Sequence, residues 1–500
     1  MTQDRQSIPA QGTTGATMHA PSQARRAVIN VGWSTINTGS AVLIAAMVFV
    51  ITSRLLGPEA FGSVALAISV IALISCATPA AFGEAIIQRL HIGDEHLDTV
   101  FWMCIAAGVI LYVPLFLAAG PIARISGQPL LATLLPFIGL KLLIDMVAVV
   151  PQALVIRAMQ FKYIAARTAL GNSVGGLVCV VMALNGYGVW ALAAAPVITS
   201  LVSMIVLLKA ARWRPGMTLR LSAFRDLRRF GLFQSGTNAL HFLRMDLLVL
   251  GFMTGPATLG LYFLGRRLLE LLTGLTAGAL QPVSTVFFAS IQQDRARHVT
   301  AFRHILHSTT LATFPFFAGL YLLAASGVPL VFGTHWQAAM PAIEAFAIIG
   351  FLSGLHSPTL SLAMGLGRAD LWLYFDLTRQ IMAVAVIAVF IRTGLETVMT
   401  GLVILNAAVL PWCFFIARKL TGISLRQYGD VLLVPLTATL AMSASILAVP
   451  WLWPMLGDGA RLGAQMALAV LVYTCVAFAL SGRQIAELRR LLAKERRLDV

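Results

Sequence analysis

The sequence predicts an all-α polytopic membrane protein with about fourteen transmembrane helices. Three observations carry that reading. Hydrophobic residues make up 58% of the 500 and charged residues only 11%, against roughly 25% charged in an ordinary soluble domain. Mean hydropathy is +0.85. Apolar runs near or above the roughly 20 residues that cross a bilayer as a helix recur from end to end, and the short alternating segments of a membrane barrel are absent.

The elements follow in order. Residues 1–26 are polar and rich in Ser, Thr and Gln. They have no apolar core ahead of Arg25, so they read as a disordered cytoplasmic tail and not as a secretory signal. Spans are expected at 29–53, 61–87, 99–120, 130–156, 165–186 and 188–208, a six-helix block over 27–208. A basic linker occupies 209–233. A second six-helix block over 234–416 holds spans at 234–253, 258–289, 304–325, 340–365, 371–391 and 396–416. Two more spans, 431–449 and 463–481, fall within 417–482, and 483–500 form a basic tail. Connections are short, so no large extramembrane domain is expected.

The formal charge is +16, and its placement decides its meaning. Starting from a cytoplasmic N-terminus and alternating sides, only Arg54, Arg124, Arg392 and Arg461 fall on the outer side. Lys141, Arg244, Arg266, Arg267 and Arg379 fall inside spans, and the rest of the 36 Lys and Arg are cytoplasmic. This is the positive-inside pattern, with both termini cytoplasmic. No soluble basic face remains for nucleic acid.

A repeat is visible. "RLLGPEAFG" (54–62) and "FMTGPATLG" (252–260) each join the first and second spans of a six-span block. Both blocks are entered through a basic pair, Arg25-Arg26 and Arg228-Arg229. An even span count gives the blocks one orientation, so they are parallel repeats, whose binding site is expected at their interface. The Gly-Pro turn itself reads as a rigid outer corner.

Ionisable side chains inside spans are costly and normally face a cavity or one another. Lys141 and Asp145, and Arg266 and Glu270, are four apart and share a helix face; Asp376 and Arg379 are three apart. Arg244 and Asp246 are two apart and need partners elsewhere. One carboxylate at Glu270 does not neutralise both Arg266 and Arg267, and Arg244 makes the start of the second block more cationic. A planar guanidinium suits bidentate phosphate contact. Arg266, Arg267, Arg244, Lys141 and Arg379 are therefore candidate cavity residues for an anionic, phosphate-bearing substrate. Glu84, Asp145, Asp246, Glu270 and Asp376 are candidate coupling carboxylates.

Other residue types point to structure. Cys76, Cys104, Cys179, Cys413 and Cys475 lie in apolar runs without C-x-x-C spacing and read as small buried hydrophobes. The histidines, including His298, His304 and His307, lack the spacing of a metal site, and neither metal nor cofactor is expected. Trp102, Trp190, Trp336, Trp451 and Trp453 read as interfacial anchors. Pro114, Pro136, Pro196, Pro282, Pro315 and Pro358 are possible helix kinks.

Taken in order, "TSRLLGPEAFGSVALA", "EAIIQR", "YGVWAL", "RWRP", "LRRFG", "LGLYFLGRRL", "FGTHWQAAMPAI" and "GLGRAD" resemble the polysaccharide-transporter (Wzx-type) flippases, in particular the WzxC/TuaB-like group, from about residue 25 to about 430. The resemblance implies membership of the multidrug/oligosaccharidyl-lipid/polysaccharide exporter (MOP) superfamily. Its fold would be two six-helix lobes in a V around a central cavity, with two extra C-terminal helices. It implies a bacterial inner-membrane protein that moves undecaprenyl-pyrophosphate-linked oligosaccharide from the cytoplasmic to the periplasmic leaflet by alternating access. The repeat unit would then enter exopolysaccharide or lipopolysaccharide assembly beside polymerase or export machinery. Glu84 departs from the family pattern, which has a small or hydroxyl residue before "IIQR", and the tail 1–24 has no counterpart in it. Two other readings are weighed. A cation-coupled drug exporter of the same superfamily would need unpaired carboxylates in the first lobe, where Glu84 and Asp145 are the candidates. A membrane polymerase or ligase would need catalytic groups in a sizeable outer loop, and the longest outer loops offer only Arg124 with Ser126, and His335 with Trp336.

Overall fold

The computed structural model describes residues 43–89, 92–220 and 244–495, with side chains as far as 480. The expected tail 1–26, the pairs Arg25-Arg26 and Arg228-Arg229, most of the basic linker and the last five residues lie outside the described residues. Among the described residues every regular element is helical.

In the first half, α1 (Leu43–Leu55) is followed by α2 (Pro58–Ser75), a 3₁₀ turn (Pro79–Ala81) and α3 (Phe82–Gln88). Next come α4 (Asp94–Ile125), α5 (Leu131–Arg157), α6 (Phe161–Leu184) and α7 (Val189–Ala211). The second half runs through α8 (Met245–Met253), α9 (Pro256–Leu275), α10 (Ala277–Ser290), α11 (Arg295–Val331), α12 (Met340–Gly365), α13 (Ala369–Phe390), α14 (Leu395–Ala408) and α15 (Leu410–Thr421). The chain closes with α16 (Leu425–Leu452) and α17 (Asp458–Glu495). Among the described residues eleven helical stretches are long and apolar enough to cross a membrane, and α9 with α10 makes a twelfth if counted as one bent span. The expected first and seventh spans begin outside the described residues, and their described parts are α1 and α8.

Two expected spans are not straight. The second, 61–87, stops after Ser75, where Pro79 has no N–H to continue the ladder, and resumes at Phe82. The eighth, 258–289, bends by 44° between α9 and α10, at Thr276, whose φ −110° and ψ −98° leave the helical region. The two breaks fall at comparable distances from Pro58 and Pro256, so the repeat extends beyond the turn. Each of those prolines opens its helix at the first position, where a missing N–H costs nothing and the fixed φ is already helical.

The halves meet through these helices. A Cβ on Gly62 would stand 1.8 Å from the Pro256 carbonyl oxygen, and one on Gly260 would stand 1.9 Å from that of Pro58. Backbone therefore touches backbone where α2 crosses α9. In lipid, where apolar side chains gain little by leaving the solvent, such close approach of small residues is a main source of helix association. The turn is thus more than the outer corner the sequence suggests: the two copies are each other's packing partner. One apolar cluster spreads from this crossing across both halves, with Leu66, Leu134 and Leu247, Tyr262 and Phe346. A second joins Phe49 and Phe61 to Leu264 and Trp336.

At the other end, where the basic loops lie, each half keeps its own core. Phe82, Val100, Phe101, Cys104 and Met146 form one in the first half, and Phe288, Phe302, Leu306 and Leu362 form one in the second. The result is a V closed at the Gly-Pro end. Helices α16 and α17 stand outside it against α11, with the Tyr473 hydroxyl donating to the Leu311 carbonyl at 2.6 Å.

Residues 212–220, the described start of the linker, are strapped to the base of α4. Buried Asp98 accepts from the Gly216 amide at 2.9 Å and the Thr218 hydroxyl at 2.5 Å. The Trp102 indole donates to the Gly216 carbonyl at 2.8 Å, and Arg220 pairs with Glu95 at 2.7 Å.

Several smaller expectations need correction. Trp336 is fully buried and so does not anchor in the membrane interface; Trp102 is half-exposed and also donates to the strap, and Trp451 and Trp453 are exposed as expected. Cys104, Cys179 and Cys413 are buried, but Cys475 is exposed on an apolar helix and Cys76 sits at the α2 break. The six prolines singled out all lie within helices.

Candidate functional site

The charged residues of α8 and α9 form one group. Tyr262, Arg266 and Glu270 follow each other at one-turn spacing on α9 and so share a face. That face meets the start of α8. Asp246 is in contact with Arg266 and accepts from the Tyr262 hydroxyl at 2.7 Å. Glu270 receives three guanidiniums: Arg267 at 3.2 Å, Arg266 at 3.4 Å and Arg244 at 3.6 Å. The divergence of Arg244 and Asp246 is resolved across helices, each pairing with a residue of α9. Three guanidiniums face two carboxylates, an excess of one positive charge, smaller than the isolated α9 sequence implies.

On α13, Asp376 accepts from Arg379 at 2.7 Å and from the Gln380 amide at 2.6 Å. Arg379 is near enough to Arg266 for their charges to interact. Lys141 and Asp145 pair with each other on α5. Arg167, on α6, lies within electrostatic reach of Asp145 and donates to Gln152 at 2.6 Å. Among the described residues no hydrogen bond or ion pair links this first-half group to the arginines of α9. Glu84 is exposed in the first turn of α3.

Between the halves lies a cavity of about 300 Å³. Its walls come from α1, α2, α6 and α7 on one side and α8 and α9 on the other, and are mostly apolar, with Phe49, Phe61, Ile68 and Phe263 prominent. The polar groups reaching it are Thr52, Asn172 and Thr199 from the first half and Arg244 and Arg267 from the second. Arg266 is not among the lining residues: tied to Asp246, it holds α8 to α9. The structure therefore divides the three arginines into two that face the cavity and one that braces them. Thr52, Asn172, Thr199 and Tyr262 were not singled out from sequence. Isolated polar residues in an apolar run are a weak signal, although Tyr262 stands one turn before Arg266.

The chain is thus a helical membrane protein of two matching halves, joined at one end around a cavity that presents guanidinium groups. The profile of the polysaccharide biosynthesis protein family matches residues 51–341. The chain belongs to that family. It is 26% identical over 398 residues to the succinoglycan biosynthesis transport protein ExoT of Rhizobium meliloti, covering 78% of this chain and 81% of that protein. It is 24% identical over 406 residues to the lipopolysaccharide biosynthesis protein WzxC of Escherichia coli, covering 79% and 82%. Its fold matches a structure of the lipid II flippase MurJ in an inward closed conformation, with a TM-score of 0.73 at 13% identity over 91% of this chain and 99% of that one.

Proposed function

We propose that this protein is a flippase that carries an undecaprenyl-pyrophosphate-linked oligosaccharide from the cytoplasmic to the periplasmic leaflet of the bacterial inner membrane, for exopolysaccharide or lipopolysaccharide assembly. The observation that carries the reading is the pair Arg244 and Arg267, presented by the second half to a cavity whose other wall is the apolar first half. Each guanidinium can meet a phosphate oxygen pair in its own plane. A diphosphate brings more negative charge than the single Glu270 carboxylate these arginines share, and so competes for both. Arg266, held by Asp246, keeps its backbone in place during the exchange. Names of family relatives that include transport and polysaccharide biosynthesis support the same assignment.

In this reading both termini and the basic loops are cytoplasmic, and the Gly-Pro end is periplasmic. The lobes are 27–208 and 234–416, the linker is 209–233, and 417–482 adds the last two helices. Lys141 and Arg379 flank the path. Asp246, Glu270 and Asp376 hold guanidiniums or Gln380 and balance charge, and Asp145 is held by Lys141; with Glu84 they remain the candidate coupling carboxylates. A drug exporter that binds organic cations would need carboxylates facing its cavity, and those near this one are taken up by arginine.

The test is leaflet transfer in liposomes. A labelled polyprenyl-pyrophosphate oligosaccharide is supplied, and its accessibility to an external sugar-cleaving enzyme is scored with and without protein. Protein-dependent transfer that weakens in Arg267→Ala supports the flippase. No transfer with several sugar types, alongside transport of labelled organic cations, overturns it.

A further inference from the structure

Among the helices that terminate at the Gly-Pro end are α1, α8 and α11, and each leaves carbonyls in its last turn without an intrahelical partner. Within α11 the chain itself answers two: the Phe332 and Gly333 amides donate to the carbonyls of Val328 and Pro329. The remaining two are answered from the other half, where Arg54, at the end of α1, donates through Nε to the Val331 carbonyl at 2.8 Å and through an amino group to that of Leu330. The exchange is returned. The Ser53 carbonyl of α1 accepts from the Trp336 indole at 2.8 Å and from His335 Nε2 at 3.0 Å, which fixes the proton of that ring on Nε2. The third helix is α8, whose Gly251 carbonyl accepts from the Gln128 amide of the first half at 3.3 Å.

We infer that Arg54, Gln128, His335 and Trp336 form a latch of exchanged helix caps that holds the Gly-Pro end shut and sets how often the cavity opens there. This rests on reading the cavity as a transport path. Caps supplied from within one half would survive a rocking motion; caps supplied from the opposite half do not. Parting the halves therefore strips four carbonyls at once, two on α11 and one each on α1 and α8. Gln128 and Trp336 are buried, so their donors are lost together with the seal. Water entering as the end opens takes over the freed carbonyls, which makes the opening reversible. The donors are side chains and the acceptors backbone, so the latch can be weakened one bond at a time while the helices stay as they are.

The experiment reads accessibility and needs no lipid substrate. In a protein whose five cysteines are replaced, Ala195→Cys places a single thiol on the cavity wall. Its labelling by a membrane-impermeant maleimide is timed from each face, in right-side-out and inside-out vesicles. Trp336→Phe keeps an aromatic ring and removes the donor, and Gln128→Leu removes the amide donor while keeping a side chain of similar length. Each is expected to speed labelling from the Gly-Pro face about fivefold, the worth of one net hydrogen bond. The double variant should reach about 25-fold if the two act independently. Arg54→Met, which removes two bonds, should exceed the single variants, and Arg54→Lys, with one donor group left, should fall between it and the parent. An unchanged rate in the double variant overturns the latch, as does equal acceleration from both faces, which reports a loosened protein. Because the readout is independent of substrate, loss of the flippase reading with a positive labelling result leaves the latch standing as a gate for another cargo.

Discussion

Gly62 and Gly260 each lie against the backbone of the other's turn, Gly62 on the Pro256 carbonyl and Gly260 on that of Pro58. The contact is reciprocal, and it is what makes one V of two halves. Neither site has room for a methyl group, and the obstructing atoms are backbone, which does not swing aside.

Gly62→Ala and Gly260→Ala are therefore expected to be equivalent. Each should lower stability by about 3 kcal/mol, the upper end of ordinary overpacking, and push the halves apart at the Gly-Pro end. Gly57→Ala, where nothing lies within 4 Å, is the control that should be tolerated. Thermal unfolding in detergent of the three variants side by side checks this.

The arginines should separate by role. Arg244→Ala and Arg267→Ala remove a guanidinium from the cavity wall and are expected to slow lipid transfer about tenfold each, with unfolding temperature little changed, since a charged hydrogen bond is worth about 1.5–3 kcal/mol. Arg266→Ala strands Asp246 with only the Tyr262 hydroxyl. It should cost about 3 kcal/mol of stability, as expected when one member of a largely buried ion pair is removed. Measuring transfer rate and unfolding temperature on the same preparations tells the two effects apart.

Glu270→Gln raises the charge of the group by one and releases the carboxylate that competes with a bound phosphate. Expected is tighter retention of the pyrophosphate lipid together with slower turnover. A binding assay and a transfer assay that both fall would contradict the competition.

Asp98→Ala should free residues 212–220 from α4, with a loss of about 2 kcal/mol for the two hydrogen bonds. The Arg212–Trp213 bond then becomes available to trypsin, and Asp98→Asn, which keeps one acceptor, should be intermediate. Cutting rates in inside-out vesicles report the release directly.

Much of this architecture was legible in the sequence. Apolar runs located the spans because a helix must cover a fixed thickness of hydrocarbon, and the Gly-Pro turns revealed the repeat. Spacing along one helix paired Arg266 with Glu270 and Lys141 with Asp145. Spacing carries no information about a neighbouring helix, so the crossed pairs Arg244–Glu270 and Asp246–Arg266 stayed hidden, and with them the near-balance of charge. The bend at Thr276 follows no proline, and nothing local to Asp98 shows that its partners lie in the linker. Gln128 and Trp336 sat in short loops, where nothing local shows that their partners are carbonyls of the opposite half.

The reciprocal glycine contact has the form of a twofold interface between identical subunits, in which residue i meets j and j meets i. Setting Gly57 on Gly255 lays Val64, Ile68, Ser69 and Ala72 over Tyr262, Arg266, Arg267 and Glu270. The frame is that of a dimer sewn into one chain, while the lining has lost all trace of the symmetry. A true dimer would present its charges twice and accept a cargo either way round; in one chain, one half carries both guanidiniums and the other faces the cavity with uncharged side chains only. An elongated amphiphile can then enter in one pose only, which is what a carrier needs if every molecule is to leave facing the same way.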